Sequence, residues 1–385
     1  MFEEYNKSIK RSDEFRNFVF EFIHPFAMKF DKDEHVSKEF LYKLGQTGYL
    51  GAIIPSQYEG MGLDMLSYGI LLEEIAKESS AISSIFTVHG MFITALLKWG
   101  TEEQKCKYLP KLAKGELIGC FALTEPNRGS DAGNPETTAV ASENEYVING
   151  KKKWISMGQL ADVFLVTATV EGKVTGFIIE RGTYGFDTLA ISGMLGFRGA
   201  MLAELNFENC KIPNESIVGR IGFGFSHVAG VSLDFGRYCV AWGALGLATG
   251  CLEACLDYTR SRKQFGLLLS KHQLIKAMIA DMETDIEAGR LICVKAGYEK
   301  LTGNPESIIT TTKAKYFLSK IIKDISSNAV QIHGANGCCD SFPVERYYRD
   351  AKIIEIIEGS NQMQQLMISS YAYQKKLRKG RLRKQ

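Results

Sequence analysis

Glu358 has the neighbours that best suit a proton-transfer role in this chain. It closes the run Ile353-Ile354-Glu355-Ile356-Ile357 and precedes Gly359-Ser360-Asn361-Gln362. A carboxylate set against apolar walls loses solvation, so its pKa rises and it can act as a base near neutral pH. A glutamate at a helix end, facing water, would carry the same local sequence. Glu355, three residues earlier, would share a helical face with Glu358. Spacing leaves both open, and only the glycine that follows favours Glu358.

Four further clusters could hold a ligand. Thr124-Glu125-Pro126-Asn127-Arg128-Gly129-Ser130-Asp131 follows the apolar run Ile118–Leu123. A strand that runs into such a turn offers hydroxyls and backbone N–H groups, although an ordinary surface turn has the same composition. Lys153-Trp154-Ile155-Ser156 sets an indole beside a hydroxyl. That suits a flat aromatic ring, while a half-buried core tryptophan is the commoner arrangement. Arg260-Ser261-Arg262-Lys263-Gln264-Phe265-Gly266 leads to His272-Gln273. The fixed fork of Arg262 fits a pyrophosphate; a cationic helix end is the plainer explanation. Gln331-Ile332-His333-Gly334-Ala335-Asn336-Gly337 brackets a polar loop with glycines. Backbone can approach a ligand there, but a loop between helices uses glycines anyway. His333 has no neighbouring ligand residue and reads as structural. Gly222-Phe223-Gly224 lacks the third glycine and the βαβ setting of a nucleotide fingerprint.

These clusters need elements to position them. From about Glu4 to Lys114 the apolar period is helical, as in Tyr68–Ile75 and Ser84–Trp99, with Pro55–Gly62 as a turn between helices. From about Leu117 to Gly219 the texture is that of strands. Ala139–Ala141 and Tyr146–Ile148 read as a hairpin. Asn149-Gly150 reads as a turn into Lys151–Ile155. Val163–Val170 and Thr175–Glu180 flank a turn at Glu171-Gly172-Lys173, and Leu205–Ile212 adds a strand. Helical periodicity returns from about Phe225. There Ala241, Gly243, Ala244, Gly246, Ala248 and Gly250 crowd one segment, and so many small residues imply close helix contacts.

Bulk properties narrow the classes. A chain of 385 residues is too long for one simple core. A hydrophobic share of 45%, a charged share of 23% and a net charge of +2 are those of an ordinary soluble protein. They give no footprint for nucleic acid. The one basic run, Lys375–Lys384, reads as a solvated tail. Nine cysteines without a C-x-x-C pair show no metal-site spacing, and reduced thiols in a cytoplasmic setting fit them best. Met1–Arg16 does not read as a targeting segment. No stretch is expected to be long and apolar enough to span a bilayer.

Taken together and in order, the clusters resemble the acyl-CoA dehydrogenase family. The blocks are G-Y-L-G-A-I-I-P at 48–55, L-T-E-P-x-x-G-S-D at 123–131, K-W-I-S at 153–156, R-K-Q-F-G at 262–266, H-Q at 272–273, Q-I-H-G-A-N-G at 331–337, R-D-A-K at 349–352 and E-G-S-N-Q at 358–362. The resemblance implies an α+β multidomain fold. Its parts are an N-terminal helical domain (1–117), a central β-barrel-like or sandwich domain (118–222) and a C-terminal four-helix bundle (223–385). It also implies FAD between the β unit and the C-terminal helices. Phe121, Leu123, Thr124, Gly129 and Ser130 would line the flavin, with Trp154, Ile155 and Ser156 over its ring. Arg262, Phe265, Gln273, Gln331, Gly334 and Ala335 would hold the pyrophosphate and adenine side across a subunit interface. Ser360 and Gln362 would close the adenosine end. Ser130, Asp234, Arg237, Tyr238 and Gly359 would meet the substrate.

Glu358 matches the family's base. It would remove the α proton of an acyl thioester while a hydride leaves the β carbon. The Glu358 N–H and a flavin ribityl hydroxyl would polarise the thioester carbonyl. The implied enzyme is an oxidoreductase acting on a CH–CH group. Its substrate would be an acyl-CoA or, in a second reading, an acyl group on a carrier protein. A third reading is a binding protein that has lost the chemistry; retention of Glu358, Arg262 and the T-E-P loop counts against it. The implied partners are an acceptor such as an electron-transfer flavoprotein and further copies of the chain, as a dimer or homotetramer. The 237–243 block and Leu112–Leu117 look closer to glutaryl-CoA dehydrogenases and to the carrier-protein-linked branch. Yet Ile82 stands where glutaryl enzymes place an arginine. Arg128 replaces a usually small residue, and Ile357 stands where many members have Tyr.

Overall fold

The computed structural model describes the backbone of residues 1–382 and the side chains of residues 1–377, so the side chains of the basic run beyond residue 377 lie outside the described residues. Seven helices come first: α1 (Phe2–Ile9), α2 (Ser12–Phe22), α3 (Ala27–Asp33), α4 (Lys38–Gln46), α5 (Met65–Glu78), α6 (Ser80–Trp99) and α7 (Glu102–Ala113). Strands follow: β1 (Gly119–Ala122), β2 (Thr138–Ser142), β3 (Glu145–Ile155), β4 (Val163–Val170), β5 (Lys173–Glu180), β6 (Phe186–Ala190), β7 (Ala203–Pro213) and β8 (Ile217–Val218). Then come α8 (Gly230–Ser261), the short strands β9 (Lys263–Gln264) and β10 (Leu267–Leu268), α9 (Gln273–Leu301), α10 (Ser307–His333), α11 (Val344–Ile356) and α12 (Asn361–Leu382).

By contact the chain forms two compact units. One contains 1–28, 65–80 and the chain from Arg237 onward; the other contains 29–64 and 81–236. In the second unit, β1–β8 join one mixed sheet in the order β6-β7-β3-β2-β4-β5-β8, with β1 parallel to β4. Among the described residues, β2 pairs with β4 at Thr138↔Thr169. Rings from either side of this seam meet: Phe186 of β6 lies 4.8 Å from Phe164 of β4, and Tyr146 of β3 lies 5.4 Å from Phe177 of β5. The two halves therefore bury their apolar faces against each other, which is how a sandwich core forms.

The expected turn at Asn149-Gly150 is instead a bulge inside β3, which runs unbroken from Glu145 to Ile155. The pairing with β7 shifts register between Ile148 and Gly150, and Asn149 Oδ1 accepts from the Asn209 N–H at 2.8 Å. Gly150 has φ +145, and a Cβ there would stand 2.6 Å from Thr137 Oγ1. The glycine is thus required by a close approach, which dipeptide statistics cannot separate from a turn. The turn between β4 and β5 does form, on Glu171 (φ 48) and Gly172 (φ 76), and Lys173 already belongs to β5.

In the first unit α9, α11 and α12 pack on α10, and α5 meets both α9 and α8. The small residues of α8 act as their composition implied. A Cβ on Gly246 would stand 2.2 Å from the Glu73 carbonyl of α5. Two helical stretches, Ser80–Trp99 and Gly224–Ser261, do have the length and hydropathy of a membrane span, contrary to expectation. Most of each apolar window, 83% and 72%, is buried within the protein. Helices that are apolar all round are what a large core requires.

Candidate active site

Helix α11 stops at Ile356, so Glu358 does not share a helical face with Glu355. Ile357 is extended, Glu358 is left-handed (φ 54) and Gly359 follows at φ 83. A left-handed glutamate is strained and persists only where its surroundings hold it. Three side chains do so. Arg237 Nε of α8 donates to the Glu358 carbonyl at 3.3 Å. Lys315 Nζ of α10 donates to the Gly359 carbonyl at 3.0 Å. Gln364 Nε2 of α12 donates to both, at 3.1 and 2.9 Å. Glu355 instead faces Lys352 at 3.4 Å.

The Glu358 carboxyl is pushed up to about 7 by desolvation, against the lowering pull of Arg237 and Lys315. Its Oε2 is buried with no hydrogen-bond partner among the described residues, as are Asn361 Oδ1 and Gln364 Oε1. Nor does the Glu358 backbone N–H have an acceptor among the described residues. A carboxyl poised near neutrality and a backbone donor without an acceptor among the described residues therefore belong to one residue.

In the other unit the T-E-P loop and K-W-I-S are tied together. The Lys153 N–H donates to the Thr124 carbonyl at 2.9 Å. Lys152, fully buried, donates to Leu123 O (3.1 Å), Glu125 Oε1 (2.8 Å) and Thr167 Oγ1 (3.2 Å). Glu125 in turn accepts from the Glu136 and Thr137 N–H groups. Arg128 is turned into its own loop, pairing with Asp131 and Glu136 at 2.8 and 3.4 Å. The result leaves Trp154 in a left-handed conformation (φ 63) with its indole half exposed. Among the described residues, the hydroxyls of Thr124, Ser130 and Ser156 have no partner. Phe121, Leu123 and Ile155 bury their side chains in the core.

The R-K-Q-F-G block forms the β9–β10 hairpin, whose tip is Phe265 (φ 50) and Gly266 (φ 76). Phe265 is 95% exposed. The Q-I-H-G-A-N-G loop adjoins the base of this hairpin through Tyr258. Its hydroxyl donates to the His333 carbonyl at 3.2 Å and accepts from Asn336 at 2.9 Å. The His333 ring stacks on Tyr258 at 4.2 Å, so this histidine is structural. Arg262, Gln273, Gln331, Gly334, Ala335 and Gln362 are exposed, and Ser360 is half-buried.

Family models cover the chain in three matches: acyl-CoA dehydrogenase N-terminal domain at residues 9–116, middle domain at 120–210 and C-terminal domain at 222–372. The short-chain-specific acyl-CoA dehydrogenase of Clostridium acetobutylicum is 40% identical over 92% of this chain and 94% of its own length. The chain belongs to the acyl-CoA dehydrogenase family. Butyryl-CoA dehydrogenase of Megasphaera elsdenii superposes with a TM-score of 0.90 at 34% identity, covering 96% of this chain and 98% of that one. A glutaryl-CoA dehydrogenase from Mycobacterium smegmatis in complex with FADH2 gives a TM-score of 0.90 at 28% identity, covering 95% and 94%. Members are flavin-dependent oxidoreductases of the CH–CH group, and FAD is the cofactor that this fold implies.

The residues fit that cofactor. A half-exposed indole beside unpartnered hydroxyls suits a flat ring with polar edges. Arg262, with no ion pair among the described residues, is a spare fork for a pyrophosphate. Tyr238 departs from the expected substrate set. It is buried, and its hydroxyl donates to the Met65 carbonyl at 2.5 Å, so it belongs to the core. Sequence reasoning missed Lys315, Gln364 and the Lys152–Glu125 pair. Lys315 carried a legible signal, because it lies in register with Thr311, Leu318, Ser319 and Ile322 on the buried stripe of α10.

Proposed function

We propose that the chain is a FAD-dependent dehydrogenase of short-chain acyl-CoA thioesters. The observation that carries this reading is Glu358, desolvated, poised near neutrality and carrying an unused backbone N–H. In this role Glu358 takes the α proton, and its own N–H donates to the thioester carbonyl, acidifying that proton. Arg237 and Gln364 fix the turn that presents both groups. Bound FAD supplies the two-electron acceptor for the hydride that leaves the β carbon. Thr124, Gly129, Ser130, Trp154 and Ser156 would meet the flavin ring. Arg262, Phe265, Gln273, Gln331, Gly334 and Ala335 would hold the pyrophosphate and adenine of a neighbouring copy, with Ser360 and Gln362 at the adenosine end. Asp234, Arg237 and Gly359 would meet the acyl thioester. Likeness to short-chain enzymes supports a small acyl group. Ile82, apolar and fully buried, supports one without a distal carboxylate. A cytoplasmic enzyme that passes electrons to an electron-transfer flavoprotein completes the reading.

Purified protein should release FAD on denaturation, and anaerobic butyryl-CoA should bleach its flavin absorbance. Bleaching by glutaryl-CoA but not butyryl-CoA would overturn the substrate assignment. Turnover only with acyl groups loaded on a carrier protein would overturn the choice of CoA.

A further inference from the structure

Lys315 is a cation on the buried stripe of a bundle helix, with no carboxylate in ion-pair contact among the described residues. A buried ammonium without such a partner is costly. Its environment must therefore supply acceptors and a compensating field. Its Nζ donates to the Gly359 carbonyl, and that carbonyl also receives Gln364 Nε2. The charged groups around it come from three elements: Arg237 on α8, Glu355 on α11 and Glu358 beyond α11. Arg237 opposes its charge, and the two glutamates favour it.

We propose that Lys315 is a positioning residue for the base, holding the Glu358–Gly359 turn and favouring the carboxylate form of Glu358. The idea rests on Glu358 being the base. Gln364 holds the same carbonyl, so removing the lysine leaves Gly359 O partnered. The main loss is then the positive field at Glu358, which Arg237 supplies only in part. Lys315 itself is pushed down to about 8, because burial outweighs the glutamates. Its field at Glu358 therefore operates at neutral and acidic pH and fades above about 8.

The test is the pH dependence of flavin reduction by butyryl-CoA in the FAD-loaded protein, for wild type, Lys315→Met, Lys315→Arg and Glu358→Gln. Lys315→Met should move the acidic limb to higher pH by about one unit, with a deficit of about tenfold on that limb. The deficit should close at alkaline pH, and Lys315→Arg should bring the limb back. A role in packing alone would lower the rate equally at every pH. Should Lys315→Met fail to hold FAD, Lys315→Gln keeps a donor without the charge and carries the same test. An unmoved limb, or loss of FAD from every Lys315 variant, overturns the proposal. Glu358→Gln at the wild-type rate would instead sink the base itself. Glu358→Gln inactive with the Lys315→Met limb unmoved would sink only the role of Lys315.

Discussion

A glutamate reaches a pKa of about 7 here because burial outweighs two cations, Arg237 and Lys315. The carboxylate is most useful above that pH, so substrate-driven flavin reduction should rise as pH climbs through it. Glu358→Gln keeps shape and removes the proposed base. Flavin reduction should fall by about 10²–10⁴-fold, the usual size of a lost acid–base contribution, with FAD retained. Glu355→Gln should have a mild effect, because that carboxylate lies on α11 beside Lys352. Stopped-flow reduction of both variants tests the assignment; equal losses would refute it. Stability gives a second sign. The folded pKa lies above the unfolded value of 4.5, so folding favours the protonated acid. That stability is fully present below 4.5 and is lost as pH rises through about 7. Glu358→Gln should therefore unfold at higher temperature than wild type at pH 8, by up to about 3 kcal/mol in stability, and match it in acid. Differential scanning calorimetry at the two pH values checks this.

At the scale of elements, local chemistry was legible where a single turn or stripe decides the structure. Glu171-Gly172 makes its hairpin, and the small residues of α8 sit where α5 presses on them. It failed where a distant segment decides. Asn149-Gly150 has the composition of a turn, but the approach of Thr137 makes it a bulge. The apolar run before Glu358 reads as a helix through the base; the donors on its carbonyls come from residues 121 positions upstream and 6 downstream. Glu125 lies in a segment with the composition of a surface turn, yet it is buried with Lys152 in an ion pair of 2.8 Å. That pair joins the T-E-P loop to β3 and fixes Thr124 near Trp154. Lys152→Met should strand a buried carboxylate and cost about 3–5 kcal/mol, whereas Lys152→Met with Glu125→Leu should recover most of it. Urea unfolding of the single and double variants measures both. A double variant no more stable than Lys152→Met would show that the pair stabilises through more than mutual neutralisation.

At the scale of the whole molecule, the residues expected at the pyrophosphate and adenine lie on exposed surface. Phe265 tips a two-residue turn with almost all of its ring in water. An exposed aromatic at the tip of a hairpin, beside an arginine with no ion pair among the described residues, marks an interaction surface. Under the proposed site assignment its occupant is the FAD of a second copy, which would require a closed symmetric assembly. Sedimentation should therefore give a dimer or a homotetramer with FAD bound. Dilution should release FAD as it dissociates the copies, because each cofactor would lose half of its pocket. Phe265→Ser should lower the association constant by about 2 kcal/mol, roughly thirtyfold, as for a buried aromatic anchor. Arg262→Ala should weaken FAD retention by about 2–5 kcal/mol while leaving the oligomer intact when FAD is in excess, since it removes a charged contact to the cofactor. Separating these two outcomes by ultracentrifugation and flavin fluorescence tests both assignments. A monomer that keeps full FAD occupancy at high dilution would exclude the shared site and leave the exposed hairpin to some other partner.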